Sequence, residues 1–445
     1  MKKYLKYIAL IILIIFGFFR ITLYPKFDLV SGFSAKSIAS HYFLANRSQK
    51  FTEKTDNDIE SMELATTIMN TSNNSVSSSV FGLKNRTAIY KDGIGAVLLP
   101  EGIVELKNNL IPKRNKTPKQ LAYPYGDLPQ KDTIFTNIDY KELKTAINNA
   151  FKIDTNIRKT RSLLVIYKNQ IIAEKYKEGF DKKSLFLGWS MAKSITSGVL
   201  GVLEKQGKVS LDQKNLFSEW KNDERKNITL KNLLNMNSGL AWQEDYTKIC
   251  DVTEMLFLDS DMSLKQKNKK LIGKPNETWN YSSGTSNLLS GFIRNQFDNN
   301  QDYLNFWYTE LIDKIGMHSM LLETDYSGKY VGSSYAWATS RDWAKFGLLY
   351  LNNGLWNGEQ IINKSWIEFT KTPTNTSNGG YGGHFWTNAG NRYPDAPKTM
   401  YYADGYQGQF VFIFPNLDLI IVRTGLSGNE THINEVLKEI LSSFK

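Results

Sequence analysis

A serine followed three residues later by a lysine, Ser190-Met191-Ala192-Lys193, is a pairing that can make an acyl-transfer nucleophile without a histidine. On a helix, three-residue spacing sets both side chains on one face, with Cβ atoms about 5–6 Å apart. A neutral lysine amine placed there can take the serine proton as the hydroxyl attacks a carbonyl. The sequence predicts that helix. Apolar residues recur from Met191 at Ile195, Val199 and Leu203, and Gln206-Gly207 is a stop signal. Ser190 falls at the N-cap, where serine is favoured for capping alone, and a helix N-terminus also favours developing negative charge. The local pattern leaves both readings open, nucleophile and cap.

Ser-x-x-Lys also occurs at Ser218-Lys221, in a charged run, and at Ser442-Lys445, at the end of the chain. Only Ser190 is preceded by an apolar stretch (Leu185–Trp189) and followed by an amphipathic helix. Other hydrolytic chemistries find less support. Cys250 is the one cysteine, which excludes an internal disulfide and Cys-rich metal sites. The four histidines, His41, His318, His384 and His432, include no closely spaced pair of the zinc-hydrolase kind. His384 is the nearest candidate base for a Ser-His-Asp hydrolase, but no serine lies in a Gly-x-Ser-x-Gly elbow. No metal or cofactor is called for.

The elements that must position this pair come from a 445-residue chain, enough for one large domain or two. Its net charge of +11 is scattered and interleaved with acidic residues, without the aromatic-interleaved basic tract of a nucleic-acid binder. Lys2, Lys3 and Lys6 precede an apolar run from Tyr7 to Phe19, the pattern of a signal region. No small-residue cleavage site follows, and with Arg20 snorkelling, residues 4–24 reach the ~20 residues of a spanning helix. The expectation is an uncleaved signal anchor over 1–25, single-pass in a bacterial cytoplasmic membrane. The basic flank keeps the N-terminus in the cytoplasm and places the rest outside. A cleaved signal and a secreted protein is the alternative.

Residues 26–125 are poorly periodic, with Ser/Asn-rich stretches such as Asn70–Ser79, and are read as an N-terminal extension of unclear fold, either packed on the main domain or separate. The main domain is placed at 126–445. It is predicted to open with a helix near 140–151 and a hairpin over 162–176, then the Ser190 helix. Helices follow near 284–296, 302–314 and 340–351, then a second hairpin over 408–423 and a terminal helix from Ile433. Strands at both ends with helices between predict an α+β fold, an antiparallel sheet closed by the N- and C-terminal segments and flanked by helices, with an inserted helical region.

Ser-x-x-Lys just after the first hairpin resembles the serine β-lactamase and penicillin-binding superfamily. A tyrosine on a Tyr-x-Asn/Ser element is then required. Tyr167, Tyr303 and Tyr350 match but lie in a hairpin or in helical patterns, whereas Tyr281-Ser282-Ser283 lies in a loop before a helix. Trp189–Ser197, Leu233–Trp242, Glu244-Asp245-Tyr246 and Ser340–Leu351 resemble the 6-aminohexanoate-dimer (nylon-oligomer) hydrolases and related esterases of the class C-like branch, over roughly residues 125–445. Where β-lactamases carry Lys-Thr-Gly, this chain has Ala403-Asp404-Gly405-Tyr406-Gln407-Gly408-Gln409. The resemblance implies Ser190 as nucleophile, Lys193 as base, Tyr281 as proton relay, and the backbone N–H groups of Ser190 and Tyr406 as oxyanion hole. Trp242, Tyr246, Ser283, Gly405 and Gln409 are its candidate substrate-binding residues. It implies an exported serine hydrolase of an esterase or amidase type acting on a small-molecule or peptide-like substrate. The alternative is a membrane-tethered, penicillin-binding-like sensor that acylates and deacylates slowly.

Overall fold

The computed structural model describes residues 2–107, 110–152, 159–428 and 431–445. Helix α1 (Lys2–Phe18) and helix α2 (Tyr24–Ala39) are joined through a wider turn, Phe19–Leu23, into one helix that runs from Tyr4 to Leu44, 41 residues. Its apolar first half is exposed, and is long enough to cross a membrane or to act as a signal sequence. The helix does not stop at residue 25. Pro25 has no N–H to give and stands in the first turn of α2, where the widened turn before it accommodates its ring.

From Asp28 onward the helix is largely buried. It packs on an antiparallel sheet of β1 (Ala65–Asn70), β2 (Ser75–Val80), β3 (Leu83–Lys91) and β4 (Gly95–Leu98), paired in chain order. The serine-rich stretch that lacks an obvious period is thus an interior strand. Val76 of β2 packs in one cluster with Ala35, Ile38 and Ala39 of α2, so small side chains meet small side chains and helix and sheet approach closely. Two buried ion pairs join this region to the rest, Lys36–Glu323 at 2.6 Å and Asp56–Arg161 at 2.5 Å. Leu29 and Phe33 of α2 enter the cluster that holds Trp242, Tyr335 and Trp189.

The main sheet has six antiparallel strands. Helix α3 (Tyr140–Ala150) precedes β5 (Thr160–Tyr167) and β6 (Gln170–Tyr176); α4 (Met191–Lys205), α5 (Ser283–Arg294) and α6 (Ser340–Leu351) follow. Then come β7 (Trp386–Thr387), β8 (Tyr401–Gly405), β9 (Gln409–Phe414), β10 (Leu419–Gly425) and α7 (Ile433–Ser442). The strand order is β7-β8-β9-β10-β5-β6, so β10 pairs with β5 and the two ends of the domain close the sheet.

Alternation along the strands covers both faces. Leu164, Ile166, Val411 and Ile420 face the core with α4 and α6, while Leu163, Val165, Phe412 and Ile421 pack with α3 and α7. This is the α+β architecture that the distribution of strands and helices predicts. The hairpin turn between β5 and β6 is short. Only Lys168 and Asn169 form it, both at positive φ, a two-residue turn matched to the twist of the strands.

Candidate active site

Ser190 stands at the N-cap position of α4 but does not cap. Its backbone is helical (φ −66, ψ −8) and its hydroxyl takes no hydrogen bond from the first turn. That hydroxyl is instead 2.9 Å from Lys193 Nζ. The other two serines of the repeated pattern have other roles. Ser218 Oγ bonds its neighbour Glu219, and Ser442 Oγ bonds Glu142 and the Glu439 carbonyl.

Lys193 is buried, 1% exposed. Besides Ser190, its ammonium reaches Ser283 Oγ and the Ser333 carbonyl, both at 3.0 Å. Burial pulls its pKa down from 10.5 to about 8, against the opposing pull of Glu244 and Asp404. Tyr281 lies under the amine, with Nζ 4.9 Å from the ring centroid, and the Ser190 side chain is among the groups that act on its hydroxyl. Burial holds that phenol protonated, well above its ordinary range. Tyr381 and Trp386 enclose the ring, with centroids 5.9 and 5.5 Å away. By contrast Tyr167, Tyr303 and Tyr350 are buried in the core.

Ser283 opens α5 at the foot of this group. Its Oγ donates to Glu244 Oε1 at 2.5 Å, and its N–H donates to Glu244 Oε2 at 2.9 Å. Glu244 also accepts from Trp242 Nε1 (2.5 Å) and the Tyr246 hydroxyl (2.8 Å). The sequence gives Glu244 no role of its own. A carboxylate set between Trp242 and Tyr246 is the signal from which one can be read. The Ser333 carbonyl leaves no trace in residue types at all.

On the other side, Gly405 ends β8 against the loop before Ser190. A Cβ at Gly405 would stand 2.1 Å from the Gly188 carbonyl oxygen, so only glycine permits this approach. Trp189 (φ 46) and Gln407 (φ 63) are non-glycine residues in the left-handed region, one immediately before Ser190 and one immediately after Tyr406. Among the described residues, neither the Ser190 nor the Tyr406 N–H has a partner within the chain.

The remaining candidates divide between rim and frame. Tyr246 and Tyr406 are each about half exposed and stack at 6.4 Å, with Trp189 edge-on to Tyr406. Trp242 is buried, its ring against Gly284. Gln409 is buried too, and its amide is taken up by the backbone. It donates to the carbonyls of Tyr406 and Gly425 and accepts from the Gly425 N–H. Asp404 lies 3.3 Å from Arg392. His384 is packed away from this group, its ring nitrogens on Ser286 Oγ and the Leu234 carbonyl, and burial lowers its pKa to about 3.

No curated protein matches the sequence. Among solved structures, a Bacillus anthracis protein assigned as a 6-aminohexanoate-dimer hydrolase superposes with a TM-score of 0.56 at 22% identity, over 68% of this chain and 81% of its own. A family VIII carboxylesterase gives 0.53 at 12% identity, over 68% and 97%. A penicillin-binding protein from Bacillus halodurans gives 0.52 at 17% identity, over 67% and 99%. At such identities these structures share the fold. Residues 154–427 match the family described as Beta-lactamase, and since that is more than half of its length, the chain belongs to the beta-lactamase family.

Proposed function

We propose that this protein is an exported serine hydrolase that cleaves an ester or amide through an acyl-enzyme on Ser190. The observation that carries this reading is the hydrogen-bond arrangement around Lys193. A neutral amine has two N–H donors and one lone pair. The Ser333 carbonyl can only accept. Ser283 spends its one hydroxyl proton on Glu244, so toward Lys193 it also only accepts. The lone pair is left for the Ser190 hydroxyl, 2.9 Å away. Glu244 thus acts as a positioning residue, setting the direction in which Ser283 accepts and so the direction of the base.

The reaction follows from these placements. The Ser190 proton moves to Lys193 Nζ as Oγ bonds the carbonyl carbon, and the negative charge that forms on the carbonyl oxygen is met by the N–H groups of Ser190 and Tyr406. As the intermediate collapses, the leaving oxygen or nitrogen takes the Tyr281 proton, which Lys193 replaces. A water then attacks the acyl group with its proton passing back along the same path. The half-exposed Tyr246 and Tyr406 form the rim a substrate meets first. The stretch Ala403–Gln409 offers no lysine to the carboxylate of a β-lactam, which favours other esters and amides as substrates. Single-turnover and steady-state kinetics with p-nitrophenyl esters test the proposal. A burst followed by steady turnover supports a hydrolase, a burst alone supports the slow-deacylating sensor, and neither burst nor turnover with any short ester, peptide amide or chromogenic cephalosporin speaks against both.

Gly405→Ala tests the oxyanion arrangement. The added methyl forces β8 and the Gly188 loop apart and moves the Tyr406 N–H out of position. The expected loss in kcat is about 10²–10³, the value of one oxyanion donor, with KM changing far less. An unaltered kcat would remove Tyr406 from the mechanism.

A further inference from the structure

We infer that the turn between β2 and β3 is a second membrane contact, with Phe81 seated in the headgroup region of the bilayer that the first helix spans. The pairing of Val80 with Leu83 leaves a two-residue turn, Phe81-Gly82, with both residues at positive φ (53 and 73). Such turns favour Asn-Gly, because a bulky residue at the first position meets its own backbone. Phe81 occupies that position and is 69% exposed. In water the residue is unfavourable twice over, in backbone conformation and in exposed apolar surface. Leu83, next to it, is 40% exposed.

The position of the turn identifies its partner. Twenty helical residues span about 30 Å, so a span beginning at Tyr4 ends near Leu23, and the body of the protein is already packed on the helix at Asp28. The turn meets the helix in that short interval. The Phe81 ring lies edge-on to Phe27, with centroids 5.9 Å apart, and Lys84 Nζ lies 2.8 Å from Asp28 and 5.1 Å over the Tyr24 ring. Phe19, Tyr24 and Phe27 are mutually in contact, and the Arg20 guanidinium covers Tyr24 at 4.4 Å. Aromatic rings interleaved with Arg20, Lys26 and Lys84, within about 12 Å along the helix, suit the boundary between acyl chains and anionic headgroups. A phospholipid surface therefore relieves the exposure of Phe81, and it does so with a surface the first helix already brings into reach.

The inference rests on the helix spanning the membrane, and the test reads the two separately. The full chain is placed in vesicles of phosphatidylethanolamine and phosphatidylglycerol, as Phe81→Cys, Leu83→Cys and Asn73→Cys variants carrying an environment-sensitive dye. The natural chain serves as the labelling blank because Cys250 is buried. Asn73 stands at the opposite end of β2, about 25 Å away along the strand. Lipids with a quencher at shallow depth should remove most of the emission of a dye at 81 or 83 and leave a dye at 73 nearly unchanged. Dyes at 81 and 83 that behave like the one at 73 overturn the contact. A blue shift at 81 without lipid quenching also overturns it and points to a second copy of the chain. Resistance to alkaline carbonate extraction reports the span by itself, and a chain released by carbonate overturns both.

Discussion

Ser190→Ala will abolish labelling by a fluorophosphonate and lower kcat on p-nitrophenyl esters by on the order of 10⁴–10⁶. The residual rate will come from binding and the oxyanion donors, which the substitution leaves in place. The thermal midpoint should stay where it is, and this separates the nucleophile reading from the cap reading. An N-cap serine replaced by alanine costs about 0.5–2 kcal/mol, but the Ser190 hydroxyl receives nothing from the first turn of α4, so its removal frees no backbone N–H. Measured together, labelling, kcat and melting give a pattern that neither a structural serine nor a global unfolding effect reproduces. Full activity in the variant, or an adduct on a different serine, would sink the mechanism.

The second large effect lies at Lys193. Lys193→Met is expected to lower kcat/KM by about 10²–10⁴, the range of a positioned general base. In the natural protein, kcat/KM should rise about tenfold per pH unit in acid and level off above the Lys193 pKa of about 8. Tyr281 remains protonated across that range and adds no second limb there. The same shift makes a stability statement. Because the folded pKa lies below the unfolded value of 10.5, the unfolded chain holds the extra proton between about 8 and 10.5. The cost of burying the ammonium is complete below that window, about 3 kcal/mol, and stability rises through it. Denaturant titrations at a series of pH values should show this rise in the natural protein and its disappearance in Lys193→Met. A profile flat through pH 8, or one equally steep in the variant, would count against a lowered lysine.

Much of the frame was readable because it depends on local patterns. The strands of both hairpins alternate, α4 and α6 carry helical apolar spacing, and Tyr281 stands out as the one matching tyrosine in a loop before a helix. Ser190 was ambiguous for a physical reason. The residue type that starts a helix well is also the one that attacks a carbonyl, and only the Lys193 contact distinguishes them. Glu244, Ser333 and the enclosure of Tyr281 depend on segments far apart in the chain, for which no spacing rule exists.

The region before residue 125 was harder to read because its packing uses small residues. Ser75–Val80 has the composition of a loop, yet Ser78 is as buried as Val76 because α2 presents Ala35 and Ala39 to that sheet. Polarity and periodicity mislead when a close approach of backbones, rather than apolar bulk, is what the site demands.

The helix that runs unbroken from Tyr4 to Leu44 joins the exposed apolar segment to the cluster that holds Leu29, Phe33, Trp189 and Trp242, next to Ser190. Were its first half to lie in a bilayer, the body of the protein would be mounted on a stalk with no swivel. Its mouth would then sweep a layer at one height over the lipid surface. A substrate held at the lipid surface would be concentrated in that layer, whereas a dissolved one would reach the mouth at its bulk concentration.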